Sequence, residues 1–215
     1  MLENIQWLGH DTFKLLDGDR FIYTDPFQIA DGADKADFIL ITHDHFDHCS
    51  PEDVAKIQKD STVIMAPASC AGKLEGDVRS VKAGDRIEVN GAVIEVTWAY
   101  NVNKYREPGK HFHPKSQDNV GYIFTANGQR VYLAGDTDFI PEMKGIDVDI
   151  ALVPVSGIYV MTPEEAAQAA NTAIKAKVFV PMHYAAIVGT ADDAARFARG
   201  VQGARVEVLE RATRR

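Results

Sequence analysis

Apolar residues recur in short runs separated by turn signals through the first two thirds of the chain, a pattern that indicates β-strands. Asn90-Gly91 and Asn127-Gly128 each lie between two such runs. Asn-Gly between strand-like runs is typical of the type I′ turn of a β-hairpin. The sequence therefore predicts two antiparallel hairpins, formed by residues 86–89 with 92–96 and by residues 121–124 with 130–133.

The last third of the chain alternates strand-like runs with helix start signals. Residues 149–155 and 177–181 are apolar enough for buried strands, and residues 205–209 predict a final strand. We therefore expect strands and helices to alternate in the last third of the chain, after the antiparallel hairpins.

Helix starts are marked by capping residues. Ser50 precedes Pro51 and is expected to cap a helix that follows the apolar run 38–41. Thr162-Pro163-Glu164-Glu165 is a capping box that predicts a helix to about Ile174, and Thr190 begins another. Since no repeat or linker divides the chain, we expect a single domain over residues 1–215.

Length and composition favour a soluble globular protein. The chain has 215 residues, of which 46% are hydrophobic and 25% charged, and no apolar stretch approaches the ~20 residues that a membrane helix needs. Residues 1–4 lack the features of a secretory signal, and two cysteines do not suggest a disulfide framework. We therefore expect a cytoplasmic protein with no membrane partner.

The formal net charge of −8 argues against nucleic acid as a partner, because RNA or duplex binding usually requires a basic surface. The basic cluster at residues 211–215 is short and is expected to be a solvated tail. A small molecule is therefore the expected partner. The oligomeric state stays open, and a homo-oligomer is compatible with the sequence.

One segment departs from ordinary surface composition. Residues 42–48 read Thr-His-Asp-His-Phe-Asp-His and follow the apolar run 38–41. The neutral imidazoles of His43, His45 and His48 are metal donors at ordinary pH, and Asp47 adds an anionic oxygen. Such a set suits Zn, Mn, Fe or Ni rather than Ca. The segment therefore predicts a metal site.

The order of these donors indicates two neighbouring ions. His43 and His45 are two positions apart and are expected to share a face, whereas Asp47 and His48 are adjacent and should diverge as the chain turns. Two donor pairs that point apart suit two metals. The intervening residues 44 and 46 are expected to face away from them.

The pattern H-x-H-x-D-H after a hydrophobic strand resembles the metallo-β-lactamase superfamily, and its later elements follow in order. Gly135-Asp136-Thr137 comes after the strand-like residues 130–134, and His183 comes after residues 178–180. The resemblance implies that Asp136 bridges two metals and that His183 completes the second. It also implies an α/β fold, the four-layer αβ/βα sandwich of two mixed β-sheets with outer helices.

The resemblance also implies one more histidine ligand for the first metal. His111 and His113 are both candidates for it. In the branch of compact metal-dependent hydrolases related to the ascorbate-6-phosphate lactonase, a histidine precedes a proline shortly before a Gly-Tyr strand. Here His113-Pro114 precedes Gly121-Tyr122, which favours His113. Many superfamily members instead place this histidine directly after a strand, which keeps His111 open.

The N-terminal residues Trp7-Leu8-Gly9-His10 resemble the opening of the same branch. This resemblance places His10 near the metals. Asp25, in Tyr23-Thr24-Asp25-Pro26, occupies another family-like position. We expect Asp25 to accept an imidazole N–H from a ligand histidine and so to fix its tautomer.

These residues together predict an enzyme with two divalent transition-metal ions, with Zn or Mn favoured and Fe or Ni as alternatives. Two metals that share a water lower its pKa and present a bridging hydroxide to a carbonyl carbon or phosphorus. Hydrolysis of a small ester, lactone or phosphodiester is therefore the expected reaction. Asp47 and His10 are the candidate proton-transfer residues, and the general acid stays open between them and a water.

The substrate is less well specified by the sequence. Residues 101–117 include Lys104, Arg106, Lys110 and Lys115, which form either a cationic rim for an anionic substrate or an ordinary solvated loop. Tyr184 either donates to an oxyanion or packs in the core. Cys49 is expected to be a small buried neighbour of the metal loop.

Two other functions remain alternatives. The first is a di-iron oxidoreductase on the same scaffold, against which the lack of a flavodoxin-like partner domain counts. The second is a hydrolase that processes nucleic acid, against which the acidic net charge counts.

Overall fold

The computed structural model describes residues 2–212, and their strands form two large sheets and a small hairpin. The first sheet contains β1 (Ile5–Gly9), β2 (Thr12–Asp17), β3 (Arg20–Thr24), β4 (Phe38–Leu40), β5 (Val63–Pro67) and β6 (Asp77–Val81), in that order. Pairing is antiparallel from β1 to β3 and parallel from β3 to β6. Every residue of β4 and β5 is buried, as expected for parallel strands that are covered on both faces.

The remaining strands are β7 (Arg86–Val89), β8 (Ala92–Trp98), β9 (Tyr105–Glu107), β10 (Lys110–His111), β11 (Val120–Ala126), β12 (Gln129–Leu133), β13 (Asp147–Pro154), β14 (Lys175–Met182) and β15 (Arg205–Val206). The second sheet has the order β15-β14-β13-β12-β11-β8-β7, whereas β9 and β10 form the separate hairpin. Pairing is antiparallel from β7 to β12 and parallel from β12 to β15, so this sheet is also mixed.

The two predicted hairpins are confirmed. Asn90 and Gly91 connect β7 to β8 with φ of 49° and 76°, and Asn127 and Gly128 connect β11 to β12 with φ of 50° and 73°. A positive φ at both central residues defines the type I′ turn, whose twist matches that of the flanking strands.

The helices are α1 (Pro51–Ile57), α2 (Ala68–Ala71), α3 (Pro163–Thr172) and α4 (Ala191–Gly200). As predicted, Ser50 Oγ accepts a hydrogen bond from the backbone N–H of Asp53, and Thr162 and Glu165 form a reciprocal capping box. No helix in the described part of the chain is both long and apolar enough to cross a membrane.

Strand ends differ from the sequence prediction. β13 begins at Asp147 rather than 149, because its parallel pairing with β14 continues to Asp147 and Lys175, whose charged side chains lie 2.7 Å apart. Hydrophobicity does not detect this polar extension, since backbone pairing defines the strand. β15 ends at Val206 rather than 209, because its pairing with β14 covers only Arg205 and Val206.

Alternating side chains build the layers. In β4, Phe38 and Leu40 join the core between the two sheets, whereas Ile39 packs with α1 residues Val54 and Ile57 on the other face. On the opposite side of the molecule, α3 and α4 pack against β14. The predicted α/β class is confirmed, with two mixed sheets between outer helices.

The prediction of a solvated C-terminal tail is wrong for Arg211, which contacts the first sheet. Arg211 pairs with Trp7 beside β1, and its Nε donates to the carbonyl of Leu8 at 2.8 Å. Thr213, Arg214 and Arg215 lie outside the described residues. The edge of the first sheet is therefore covered by the last part of the described chain.

Candidate metal centre

The site lies where strands of both sheets end. The segment from Thr42 to His48 follows β4, Asp136 follows β12, and His183 follows β14. His10 lies in the turn between β1 and β2. Because parallel strands carry their carboxyl ends to the same edge, these chain ends converge and supply polar side chains to one point.

A first group consists of His43, His45 and His113. The Nε2 of His43 lies 3.0 Å from the Nδ1 of His45, and the Nε2 of His113 lies 3.3 Å from that same atom. Two nitrogens that bind one tetrahedral ion at 2.0–2.1 Å are about 3.3 Å apart. The spacing therefore fits three donors to a shared cation.

The structure distinguishes the two histidine candidates. His113 is 1% exposed and belongs to this group. His111 instead lies in β10, where its ring stacks on Tyr105 at 4.5 Å and its Nε2 lies 3.2 Å from the carbonyl of Val102. His113, and not His111, is therefore the histidine that the fold brings to the centre.

A second group consists of His10, His48 and His183, whose nearest nitrogens all lie within 4.8 Å of one another. Asp47 adjoins this group, because its Oδ2 lies 3.1 Å from His10 Nε2 and 4.0 Å from His48 Nε2. His43 and His45 thus belong to the first group, whereas Asp47 and His48 lie at the second, with Asp47 Oδ2 4.0 Å from His48 Nε2.

Asp136 lies between the two groups. Its Oδ2 is 3.5 Å from His113 Nε2 and 3.2 Å from His183 Nε2, and its Oδ1 is 3.6 Å from His48 Nε2. One carboxylate thus contacts nitrogens of both groups. This arrangement suits a carboxylate that bridges two cations.

Unpaired buried atoms test whether the residues fit metal ions. His48 Nε2 and Asp136 Oδ1 are both buried without a hydrogen-bond partner among the described residues. Leaving such an atom unsatisfied costs about 1–3 kcal/mol. Because these atoms face each other in a set of nitrogen and carboxylate donors, a transition-metal ion would satisfy both, and the residues fit the group.

The outer nitrogen of four histidines is held by an oxygen atom. The pairs are His43 Nδ1 with Thr42 Oγ1 at 3.0 Å, His48 Nδ1 with Asp25 Oδ2 at 2.8 Å, His113 Nδ1 with Asn101 Oδ1 at 3.1 Å and His183 Nδ1 with Ser156 Oγ at 2.9 Å. An acceptor at Nδ1 places the proton there and directs the Nε2 lone pair towards the centre. The Asp25 contact agrees with the sequence prediction.

Burial keeps the imidazoles of His43, His48 and His113 neutral. It lowers the pKa of His43 and His48 well below the usual value, and it lowers the pKa of His113 to about 3. Neighbouring histidines add to the effect, because several positive charges cannot share one buried cluster. The neutral form, which is the metal-binding form, is therefore present at neutral pH.

The buried carboxylates behave differently from Asp47. Burial raises the pKa of Asp136 to about 8 and that of Asp11 to about 7, so each needs a nearby cation to ionise fully at neutral pH. Burial alone would raise the pKa of Asp47, but the hydrogen bond and the electrostatic interaction with His10 outweigh burial, and the pKa is lowered. Asp47 is the carboxylate that stays ionised without a metal.

Backbone strain is concentrated at the centre. His10, Asp25 and His183 have φ of 53°, 36° and 58°, in the left-handed region that residues with a side chain rarely adopt. Such strain costs of order 1–3 kcal/mol per residue and persists where the surrounding structure imposes it. It supports a functional role for this cluster.

Sequence reasoning missed several neighbours of the centre. Asp11 is fully buried, and neither carboxylate oxygen meets hydrogen-bond geometry with a described residue. Asn101 and Ser156 hold ligand-type histidines from distant segments. Only the position of Asp11 next to His10 signalled its place, and nothing local marked the other two.

Three further expectations are resolved by packing. Tyr184 is buried and stacks on Trp7 at 4.8 Å, which favours packing over oxyanion contact. Cys49 is buried in the core beneath the first sheet, together with Cys70. Phe46 does not simply face away, because it lines a cavity above the centre.

This cavity has a volume of about 290 Å³, and its floor includes His45, Asp47, Asp136 and His183. The side chain of Asp47 is 15% exposed, so its carboxylate is accessible from the cavity, whereas Asp136 is 3% exposed. Both groups of donors thus have access to a space that is suited to a small molecule.

Comparison with known proteins gives consistent matches. The profile of the β-lactamase superfamily domain matches residues 4–183. A UPF0173 metal-dependent hydrolase of Geobacillus sp. (strain WCH70) is 30% identical over 207 residues, which cover 90% of each chain.

Two solved structures have folds similar to that of this chain. A Parabacteroides distasonis protein, provisionally assigned as a metal-dependent hydrolase, has 35% identity and a TM-score of 0.81, covering 95% of this chain and 91% of that chain. Igni18, a metallo hydrolase from Ignicoccus hospitalis, has 24% identity and a TM-score of 0.76, covering 97% and 95% of the two chains. The second likeness concerns the fold alone.

Proposed function

The chain belongs to the metallo-β-lactamase superfamily, and from this premise we propose that it is a dinuclear metal-dependent hydrolase of a small ester, lactone or phosphodiester. The observation that carries the proposal is the position of Asp136, whose two oxygens lie 3.2–3.6 Å from His48, His113 and His183. A carboxylate between two sets of imidazoles is suited to two cations and has no comparable role in an ordinary core.

In this proposal His43, His45 and His113 would hold one ion, Asp47, His48 and His183 would hold the other, and Asp136 would serve both. A donor set of histidine nitrogens and aspartate oxygens suits Zn or Mn, and it is also compatible with Fe or Ni. When bound, such ions activate water and polarise the oxygen of the bond to be cleaved. The remaining chemistry falls to side chains of the cavity floor.

Asp47 and His10 are proposed to handle protons. Asp47 is accessible from the cavity and is kept ionised by His10, whose Nε2 lies 3.1 Å from Asp47 Oδ2. A water oxygen attacks the acyl carbon or phosphorus, and Asp47 accepts the proton that this water loses. The bond to the leaving oxygen then breaks, and that oxygen takes up a proton from the Asp47–His10 pair, so one water is consumed in each cycle.

Shape and charge support a small substrate. The cavity of about 290 Å³ is at the lower end of the usual range for ligand sites. The net charge of −8 does not favour a nucleic-acid backbone. A small, water-soluble ester, lactone or phosphodiester therefore fits better than a polymer.

The test compares two aspartates of the same loop. Turnover of an aryl ester, a lactone and a bis-aryl phosphodiester is measured for the metal-loaded protein, for Asp47→Asn and for Asp44→Asn. Asp44 forms an exposed ion pair with Lys73 and serves as the matched control. We expect Asp47→Asn to lower kcat at least about 100-fold, because it removes the proton acceptor, and Asp44→Asn to stay within about twofold. Equal rates in all three proteins would overturn the proposal.

A further inference from the structure

We infer that Arg106 is an anion receptor at the wall of the cavity, and that the substrate carries a carboxylate on a small apolar body. This inference rests on the proposed function, because it names the substrate class of the same site. Three observations support it: the lysines around the β9–β10 hairpin are paired with carboxylates, Arg106 lines the cavity, and the neighbouring wall is apolar.

Most cations of residues 101–117 are already paired. The partners of the lysines are Glu165 for Lys104, Glu107 for Lys110 and Glu142 for Lys115. Arg106 differs, because within residues 2–212 its guanidinium lies over the ring of Phe112, at 5.6 Å, and forms no ion pair. The predicted cationic rim is thus reduced to one available charge.

The hairpin directs that charge to the cavity. On β9 the flanking residues Tyr105 and Glu107 contact β10, through ring stacking on His111 and an ion pair with Lys110. Side chains alternate along a strand, so Arg106 projects to the opposite face. There it lines the same cavity as Asp47 and Asp136.

The rest of the wall is apolar. Phe46 is 69% exposed, Ile187 is 43% exposed and Tyr159 is 38% exposed, and all three line this cavity. Phe112 completes the wall and packs on Tyr159 with ring centroids 4.5 Å apart. Clustered exposed apolar side chains of this kind mark a ligand surface.

Together these features define the ligand. Among the described residues that line the cavity of about 290 Å³, Arg106 is the one cation without an ion pair, so the wall matches a group with one negative charge better than a phosphate monoester with two. A guanidinium presents paired N–H donors that fit the two oxygens of a carboxylate. The wall binds an apolar body, and the floor receives the bond to be cleaved.

Binding tests the inference without turnover. The probes are 3-phenylpropionate, its neutral amide 3-phenylpropionamide, and phenethyl phosphate, titrated into the metal-loaded protein by calorimetry. We expect the carboxylate to bind about tenfold more tightly than the amide and more tightly than the phosphate. Arg106→Gln should abolish the preference over the amide, and Arg106→Lys should retain part of it.

Lys110→Gln is the matched control. Lys110 lies in the same hairpin, but its charge is already paired with Glu107. This variant should keep the full preference. If the carboxylate preference is missing in the wild type, or persists in Arg106→Gln because the anion binds the metals instead, the inference is wrong. A phosphate that binds more tightly than the carboxylate would also overturn the assigned substrate class.

Turnover separates this inference from the proposed function. Arg106→Gln should raise KM for the 4-nitrophenyl monoester of glutaric acid about tenfold more than KM for neutral 4-nitrophenyl butyrate, whereas Lys110→Gln should change neither by more than about twofold. An equal loss on both esters would contradict the inference alone. If the metal-loaded wild type cleaves neither ester, lactone nor phosphodiester, the proposed function fails, and the binding comparison still decides whether Arg106 receives an anion.

Discussion

Asp25 Oδ2 lies 2.8 Å from Nδ1 of His48, and both side chains are fully buried. The same carboxylate accepts hydrogen bonds from the N–H and the hydroxyl of Thr42, each at 2.7 Å. Thr42 in turn holds His43 at 3.0 Å. One aspartate therefore fixes the rings of histidines that belong to both donor groups.

Replacing Asp25 should weaken metal binding while the ligands themselves stay intact. Asp25→Asn replaces the carboxyl oxygen that His48 Nδ1 contacts, so we expect metal affinity to fall about 10- to 100-fold in a competition titration with a chelator. Asp34→Asn, which removes a half-exposed carboxylate that pairs with Lys14, is the control and should leave affinity unchanged. Unchanged affinity in Asp25→Asn would show that the imidazole does not need this partner.

The stability of the metal-free protein should fall as pH rises above neutrality. Burial raises the pKa of Asp136 from 3.8 to about 8, so the folded state binds a proton that the unfolded state has already lost. The low pKa values of His43 and His48 act in the opposite direction, but only below the unfolded value of 6.5. Between pH ~6.5 and ~8 the carboxylate therefore dominates, and we expect a loss of about 1–2 kcal/mol in urea unfolding.

Metal loading should remove this pH dependence, because a bound cation stabilises the ionised carboxylate. Asp136→Asn should reduce it in the metal-free protein, and the remainder belongs to Asp11 and Asp25, whose pKa values burial also raises. Stability that rises from pH ~6.5 to ~8 in the metal-free wild type would contradict this explanation, because it would require the unfolded state to bind the extra proton.

Gly9 should be intolerant of a side chain. Its φ is 114°, and a Cβ at this position would lie 2.6 Å from the guanidinium of Arg211. We expect Gly9→Ala to lower the free energy of unfolding by about 1–3 kcal/mol and to disturb the adjacent His10. In Gly9→Ala/Arg211→Ala the steric contact is absent, so a loss that remains measures backbone strain. Full stability of the single variant in urea unfolding would refute both causes.

Tyr184 should contribute through its ring and not through its hydroxyl. Because it stacks on Trp7 in a buried position, Tyr184→Phe is expected to leave kcat and KM within about twofold, whereas Tyr184→Ala should destabilise the fold by about 3–5 kcal/mol. A tenfold or greater fall in kcat for Tyr184→Phe, with normal stability, would restore the hydroxyl as an oxyanion donor.

The parts of the centre that the sequence predicts are those whose signals are local. His43, His45, Asp47 and His48 occupy one short loop after a buried strand, so their convergence requires no knowledge of tertiary structure. Turn chemistry and capping are equally local, which explains why the hairpins and the helix starts agree with the structure. The strand ends agree less well because pairing partners determine them.

The remaining features depend on contacts between distant segments. Ser156 and His183 are separated by 27 positions, and Asn101 and His113 by 12, yet each pair makes a side-chain hydrogen bond. The choice between His111 and His113 depended on where β10 ends. Arg106 could be singled out from its lysine neighbours only after their ion pairs were visible.

The most direct test of the two-metal account is the metal content per chain after saturation with Zn or Mn and removal of excess metal. We predict about two equivalents for the wild type and for His111→Ala, about one for His113→Ala, and one or fewer for Asp136→Asn, since the last loses the bridge. One equivalent or none in the wild type would contradict the account. So would a wild-type metal content in Asp136→Asn.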